Sequence, residues 1–172
     1  MELTPTILRR LRKVLLAISP AVIGIVAGEA CAATANTNLG VTLTISAQCV
    51  VAGGAVAFGP QGVLSSIIDS NGSFSVTCTS GTPYSIGLDQ GLFGLLVSAR
   101  KMRSSTTGAE VSYALYLDAA RTLNWGNLIG SLLSNTGTGD TQTINVYGRI
   151  LPQATPAAAS DYTDTVTISV SY

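Results

Sequence analysis

Residues 161–172, the last twelve of the sequence, read DYTDTVTISVSY. Every odd-numbered position from 163 to 171 is threonine or serine. The apolar and aromatic residues share the other parity: Tyr162, Val166, Ile168, Val170 and Tyr172. A period of two predicts a half-buried β-strand. Since the alternation reaches the final residue, the sequence raises the expectation that another strand lies beside this one.

The same alternation recurs along the preceding chain. The stretches that carry it are 39–45, GAVAFG (54–59), GSFSVTCTS (72–80), TPYSIGLDQG (82–91), EVSYALYLD (110–118) and TQTINVYGRIL (141–151). Turn-forming residues such as Asn71-Gly72 separate them. About seven short strands at this spacing predict one all-β domain, an immunoglobulin-like β-sandwich. The apolar-to-basic stretch 91–105 fits less well and is interpreted as a strand with a long loop or as a patch that a partner covers.

The composition argues against several functions. Charged residues make up 10% of the chain, the formal net charge is zero and histidine is absent. A nucleic-acid-binding protein would carry a basic surface, so no nucleic-acid partner is expected. Without histidine, a Ser–His pair is impossible and the commonest metal ligand is missing. Asp161 and Asp164 are interpreted as facing different ways rather than as a catalytic pair. The sequence predicts no enzyme, no cofactor and no metal site.

The amino-terminal residues resemble a secretory signal peptide, assigned to 1–32. Basic residues at 9–13 precede an apolar run from Val14 to Ala27, and Ala30-Cys31-Ala32 fits a small-x-small cleavage site. A membrane anchor is the weaker interpretation, because the run is shorter than the ~20 residues needed to span a bilayer. A lipoprotein modified at Cys31 is a further alternative, which Glu29 beside that cysteine disfavours. Export through the periplasm to the cell surface is therefore expected.

Two cysteines, Cys49 and Cys78, remain after the signal peptide. In an oxidising compartment they most simply form a disulfide, although two buried free thiols remain an alternative. In the chain-entropy treatment, closing a loop of this length stabilises a protein by roughly 3–4 kcal/mol.

Three stretches resemble the spore coat protein U domain family, which includes subunits of Csu-type, or archaic, chaperone–usher pili. They are YALYLDAARTLNWG (113–126), DYTDTVTISVSY (161–172), and the spacing from SAQCVV…AFG (47–59) to FSVTCTSG (74–81). The resemblance implies an immunoglobulin-like domain that lacks its last strand. It implies as partners a periplasmic chaperone that lends a strand, an outer-membrane usher, and neighbouring subunits whose amino-terminal strand completes the fold.

The resemblance also assigns roles by position. It divides the mature chain into a donor segment, 33–46, and a sandwich domain, 47–172, with an uncertain boundary. The implied donor residues are Leu39, Val41, Leu43 and Ile45. The implied acceptor-groove edge is Tyr162, Val166, Ile168, Val170 and Tyr172. The resulting expectation is a fibre subunit used in adhesion and biofilm formation. The alternatives are a self-contained coat or surface protein and a sugar-binding adhesin domain.

Inside the signature, structural roles are expected. Tyr113, Leu115 and Leu117 share one parity and are predicted to be core residues. The Asp118 carboxylate should accept hydrogen bonds from nearby backbone N–H groups in a turn. Trp125 should be buried with its N–H satisfied, and Arg121 could pair with Asp118.

Overall fold

A computed structural model describes residues 32–172, and all regular structure in that range is β. The nine strands are β1 Cys49–Val56, β2 Ile68–Cys78, β3 Pro83–Leu88, β4 Arg100–Ser104, β5 Glu110–Tyr116, β6 Leu133–Thr136, β7 Thr141–Ile150, β8 Tyr162–Thr163 and β9 Ile168–Ser171. The chain divides into two units, Met1–Thr42 and Leu43–Tyr172. The described part of the first, residues 32–42, contains neither helix nor strand and is exposed throughout. All nine strands lie in the second unit.

The strands form two antiparallel sheets with the arrangement of a β-sandwich. The larger sheet has the order β1-β2-β7-β5-β4-β8, and the smaller one has the order β6-β3-β9. Strands β2 and β7 form the longest ladder, which runs from Ile68↔Ile150 to Thr77↔Thr141. In the smaller sheet, β9 pairs with β3 from Ser85↔Ser171 to Leu88↔Ile168. The prediction of an all-β sandwich is confirmed.

The core is built from the alternating faces that the sequence shows. On β2, Phe74, Val76 and Cys78 are buried while their neighbours are more exposed, and Ile144 and Val146 repeat this on β7. The buried side chains of β3 and β5 complete the core: Tyr84, Ile86, Leu88, Val111, Tyr113 and Leu115. Because one face of each strand is apolar, the sheets bury those faces against each other.

A disulfide ties the edge strand β1 to the sheet. Cys49 begins β1 and Cys78 ends β2, the two residues are opposite one another, and their sulfurs are bonded at 2.02 Å. This confirms the predicted pairing. Further along β1 the register shifts between Ala52 and Ala55. Gly54 lies in this bulge, where a Cβ would collide with the Ser73 carbonyl, so glycine permits the close approach of β1 to β2.

Three predictions about strands need correction. The described residues before Cys49 contain no strand, so the predicted strand over 39–45 does not form within this chain. The closing strand is divided, because Tyr162–Thr163 pairs with β4 in the larger sheet while Ile168–Ser171 pairs with β3 in the smaller one. The predicted turn Asn71-Gly72 lies inside β2, where both residues pair with β7. Strand β4 lies inside the stretch 91–105, as one of its two interpretations predicts, and β6 was not predicted. The predicted signal peptide lies outside the described residues.

Candidate functional site: an apolar groove beside a free strand edge

A groove of about 1210 Å³ opens into the core between β1, the segment that follows β1, and the β8–β9 region. Its apolar lining includes Val56, Phe58, Leu64, Phe74, Leu88, Met102, Leu115, Val146, Ile150, Val166 and Ile168. Several of these are core residues with under a tenth of their surface exposed, such as Phe74 and Val146. The groove therefore reaches the hydrophobic core itself rather than a depression on the surface.

Free strand edges border this groove. Within the described residues, β1 pairs only with β2, and β9 pairs only with β3. One edge of each strand consequently carries backbone N–H and C=O groups with no ladder partner. An apolar channel next to such an edge has the chemistry to accept an extended peptide, since the edge can bond its backbone and the channel can take alternate side chains.

The groove wall contains the segment that connects β8 to β9, where the chain crosses from one sheet to the other. Asp164 is fixed there: its Oδ1 accepts from the Leu92 N–H at 2.8 Å, and its Oδ2 accepts from the Tyr113 hydroxyl at 2.7 Å. Burial, followed by this hydrogen bond to Asp164, raises the pKa of Tyr113. Tyr113 is thus a neutral hydroxyl donor at the groove floor, and it holds the wall in place.

A second aspartate, Asp89, secures the far end of the same connection. Its Oδ1 accepts from the N–H groups of Gly91 and Thr167, each at 2.9 Å. Burial opposes ionisation of Asp89, but hydrogen bonds from Thr167 and Gly91 outweigh it and lower the pKa. The two aspartates together join the β8–β9 connection to the loop that follows β3.

Arg100 organises that loop from inside the protein. Its side chain is fully buried and donates to four backbone carbonyls, those of Leu88, Asp89, Val97 and Trp125, at 2.6–3.1 Å. Burial lowers its pKa. The role of Arg100 was not predicted from the sequence. The only signal was a basic residue directly after an apolar run, and a surface lysine or arginine gives the same signal.

The structure brings together three of the five residues predicted at the acceptor edge. Tyr162, Val166 and Ile168 line the groove. Val170 packs against the core outside the groove lining. Tyr172 is 61% exposed and lies in a shallow depression with Tyr84 and Ser134.

The four residues predicted as a donor strand are exposed. Leu39, Val41, Leu43 and Ile45 have 72–88% of their surface accessible, and none lies in a strand. Large apolar side chains are thus exposed to solvent at four consecutive alternate positions, where an isolated protein gains nothing from them. Their role as a donor strand remains a prediction.

The signature residues have structural roles. Trp125 is fully buried and donates its indole N–H to the Ile86 carbonyl at 3.1 Å, which confirms the prediction. Asp118 accepts from the N–H groups of Thr122 and Leu123, as predicted, and these bonds lower its pKa.

The suggested pairing of Arg121 with Asp118 is wrong. Arg121 adopts a positive φ of 58°, and its guanidinium turns toward β2 and β7. There it donates to Asn71 Oδ1 at 2.7 Å and to the Gly148 carbonyl at 3.1 Å, and it lies 3.3 Å from Asp69. It consequently links the turn to the central ladder.

The described residues contain no cluster of three or more candidate metal ligands among His, Cys, Asp and Glu.

The carboxylates of Asp161 and Asp164 bind different partners, as expected from their facing different ways. Asp161 accepts from the hydroxyls of Ser105, Ser104 and Thr106, which lower its pKa. Across residues 32–172, no helix is long and apolar enough to cross a membrane.

Comparisons with known proteins agree with this architecture. The Spore Coat Protein U domain matches residues 35–169. The chain is 32% identical over 156 residues to Protein U of Myxococcus xanthus, covering 82% of this chain and 87% of that protein. It also resembles a chain in the crystal structure of the CsuC–CsuE chaperone–tip adhesion subunit pre-assembly complex from archaic chaperone-usher Csu pili of Acinetobacter baumannii. That match has a TM-score of 0.54 and 25% identity, and it spans 75% of this chain but 40% of the other.

Proposed function

We propose that this chain, which belongs to the Spore Coat Protein U domain family, is a structural subunit of a secreted surface fibre assembled by a chaperone and an usher. The observation that carries the proposal is the apolar groove that reaches the core beside the free edge of β9. A fibre forms when the amino-terminal segment of one subunit enters the groove of the next as an added strand.

The donor segment matches the groove in chemistry. From Leu39 to Ile45 the chain contains four apolar side chains at alternate positions. In an extended strand these would all face one side and span about 20 Å. Burying four such side chains contributes a gross ~6–12 kcal/mol, at ~1.5–3 kcal/mol each. A whole domain is stable by only ~5–15 kcal/mol, so filling the groove would dominate the stability of the subunit.

The proposed partners follow from the same exposed site. An unfilled groove and edge would associate indiscriminately, so a periplasmic chaperone covers them during transit and an outer-membrane usher exchanges it for a donor strand. The similarity to a chain from a chaperone–subunit complex supports this assignment. We assign the assembled fibre to the cell surface, with a role in adhesion and biofilm formation.

A chain that fills its own groove tests the proposal. Residue 171 pairs with residue 85 at the end of the sandwich where the disulfide lies, so a strand added after Tyr172 can turn back along β9. We would append a copy of residues 36–46 through a short flexible linker. We expect a monomer that melts at a much higher temperature than the parent and no longer accepts a free peptide of residues 36–46.

Two substitutions in the appended copy provide the matched control. Leu43→Asp places a carboxylate in the apolar groove and should remove most of the gain. Thr44→Asp adds the same charge on the opposite parity, toward solvent, and should leave the gain intact. Equal melting temperatures for the parent and the extended chain would show that the sandwich is complete without a donor.

That outcome would favour the second candidate, a self-contained coat or surface protein. The match to the Spore Coat Protein U domain supports this candidate, since the family is named for a coat protein. The two candidates differ in whether the groove requires an added strand, which the melting experiment measures directly.

A further inference from the structure

The loop after β3 and the loop before β6 expose large apolar side chains at one end of the sandwich. We call Leu92, Leu95, Leu96, Leu128 and Ile129 the apolar rim; each has 63–99% of its surface exposed. We propose that the apolar rim is the docking surface for the body of the neighbouring subunit whose donor segment fills the groove. This inference rests on the proposed function and adds a second interface to it.

The two loops form one surface because shared contacts hold them together. Arg100 donates to carbonyls in both loop regions, at Val97 and at Trp125. A Cβ placed on Gly126 would lie 3.1 Å from Val97 Cγ2, which shows how closely the two segments pack. The Gly126 N–H also bonds the Ser131 carbonyl and closes the second loop. These contacts hold the two loops together, so the apolar rim is one continuous surface.

The apolar rim adjoins one mouth of the groove. The Leu92 N–H bonds Asp164, and the Asp89 N–H bonds the Thr167 carbonyl. Asp164 belongs to the groove lining. A chain leaving the groove at this mouth would emerge next to the apolar rim.

The direction of the donor strand decides which mouth it leaves. Every strand pair in residues 49–171 is antiparallel, and antiparallel pairs are the commoner kind in general. Strand β9 runs from Ile168, opposite Leu88, toward the disulfide end of the sandwich. A donor antiparallel to β9 would enter at the disulfide end and leave beside the apolar rim.

The length of the connection then identifies what lies there. Only residues 46–48 separate Ile45 from Cys49, the first residue of β1. Four Cα–Cα steps reach no more than about 14 Å, so the disulfide end of the donor subunit must lie close to that mouth. The neighbour at this mouth is therefore the body of the donor subunit, to which the donor is covalently attached.

The apolar rim of one subunit and the disulfide end of the next are compatible in charge. The apolar rim segments, 91–99 and 126–132, contain no charged side chain. At the disulfide end, the segments 43–52, 79–83, 136–141 and 169–172 contain only Asp140. Their contact would bury apolar surface with almost no charge to desolvate.

A defined dimer tests the contact without open-ended polymers. The first subunit is the chain with the appended donor, which has a filled groove and a free amino-terminal donor. The second is the full chain carrying Leu43→Asp, which has an open groove and an inactive donor. A photo-crosslinking amino acid is placed in the second subunit at Leu95 or Ile129, with Leu123 as control because it is 59% exposed but lies outside the apolar rim. We expect crosslinks from 95 and 129 to residues 46–51, 79–82 or 137–140 of the first subunit, and none from 123.

Dissociation rates give the second measurement. L95S with I129S in the second subunit should speed its separation from the first by about tenfold or more, as expected when two buried apolar side chains are lost. Dissociation of the free 36–46 peptide should stay unchanged, as should dimer dissociation with L123S. Unchanged dimer dissociation, or crosslinks to a different surface, would overturn the inference while leaving the fibre proposal standing. If L95S with I129S abolishes adsorption of the second subunit to lipid vesicles but leaves dimer dissociation unchanged, the apolar rim binds a membrane surface instead. If neither the peptide nor the first subunit binds, the proposed function itself fails.

Discussion

The two sides of this core are built from the same kind of side chains but are closed differently. Around Trp125 the core is sealed: the indole is fully buried, packs 5.9 Å from the Phe74 ring, and has its N–H bonded to Ile86. Around Val166 and Ile168 the core opens into the groove. Trp125, Val166 and Ile168 all belong to or pack against one core. The groove is therefore a local opening of that core at the edges of β1 and β9.

The largest expected effect is on the sealed side. Trp125→Ala should lower the free energy of unfolding by about 3–5 kcal/mol, because it leaves a cavity in the packed core. Chemical unfolding of the parent and of the chain with the appended donor measures this cost. The loss should be similar in the two forms, because Trp125 is outside the groove lining. A loss found only with the donor present would mean that the two sides are not independent.

The disulfide stabilises the open edge at β1. Replacing both Cys49 and Cys78 with serine should cost roughly 3–4 kcal/mol by releasing a loop of about 30 residues in the unfolded chain. Hydrogen exchange should show faster opening in β1, which pairs only with β2 among the described strands, and little change in β7. Equal changes in both strands would indicate that β1 and β7 open as one unit.

Val166→Ala tests the open side directly. Val166 is partly buried and lines the groove, so its truncation should cost little in the parent. In the chain with the appended donor it should cost about 1–2 kcal/mol, because the side chain becomes fully enclosed. Equal costs in the two forms, measured by thermal unfolding, would mean that the donor does not cover this part of the groove.

The smallest expected effect is a pH dependence at the groove wall. The pKa of Asp89 is lowered in the folded protein, so its carboxylate contributes stability above its unfolded pKa of about 4. That contribution is lost as the pH falls through the lower folded pKa. Asp89→Asn should therefore reduce stability at neutral pH and flatten the loss of stability below pH ~4. Parallel stability profiles for the two proteins would exclude this role for Asp89.

The sequence predicts those parts of the fold in which one strand face is buried. Strands β3, β5 and β7 fall within the predicted stretches, because their period of two follows directly from half-burial. Strand β2 includes the predicted residues 72–78 but begins at Ile68, so the pair predicted as a turn, Asn71-Gly72, lies inside it. Trp125 and Asp118 could also be assigned, since an indole and a turn aspartate have few ways to satisfy their polar atoms locally.

The parts that escaped prediction depend on partners distant in sequence. The division of the closing strand is fixed when Asp89 bonds Thr167, 78 residues away, and when Asp164 bonds Leu92 and Tyr113. The burial of Arg100 requires a carbonyl contributed by Trp125, and four-residue β6 is too short to show a period. The groove depends on which strand edges remain unpaired, and no local pattern encodes that.

The pairing of β9 with β3 has a consequence for the order in which the protein folds. Ile168 and Leu88 are 80 residues apart, whereas the β1–β2 hairpin joins residues that can meet early. Loop-closure entropy grows with separation, so contacts of high sequence separation form late and slow the overall rate. The pairing of β9 with β3, and with it the groove wall, should therefore form later than the β1–β2 hairpin. Until residues 168–171 pair with β3, the partly folded chain would expose its core and be at risk of aggregation.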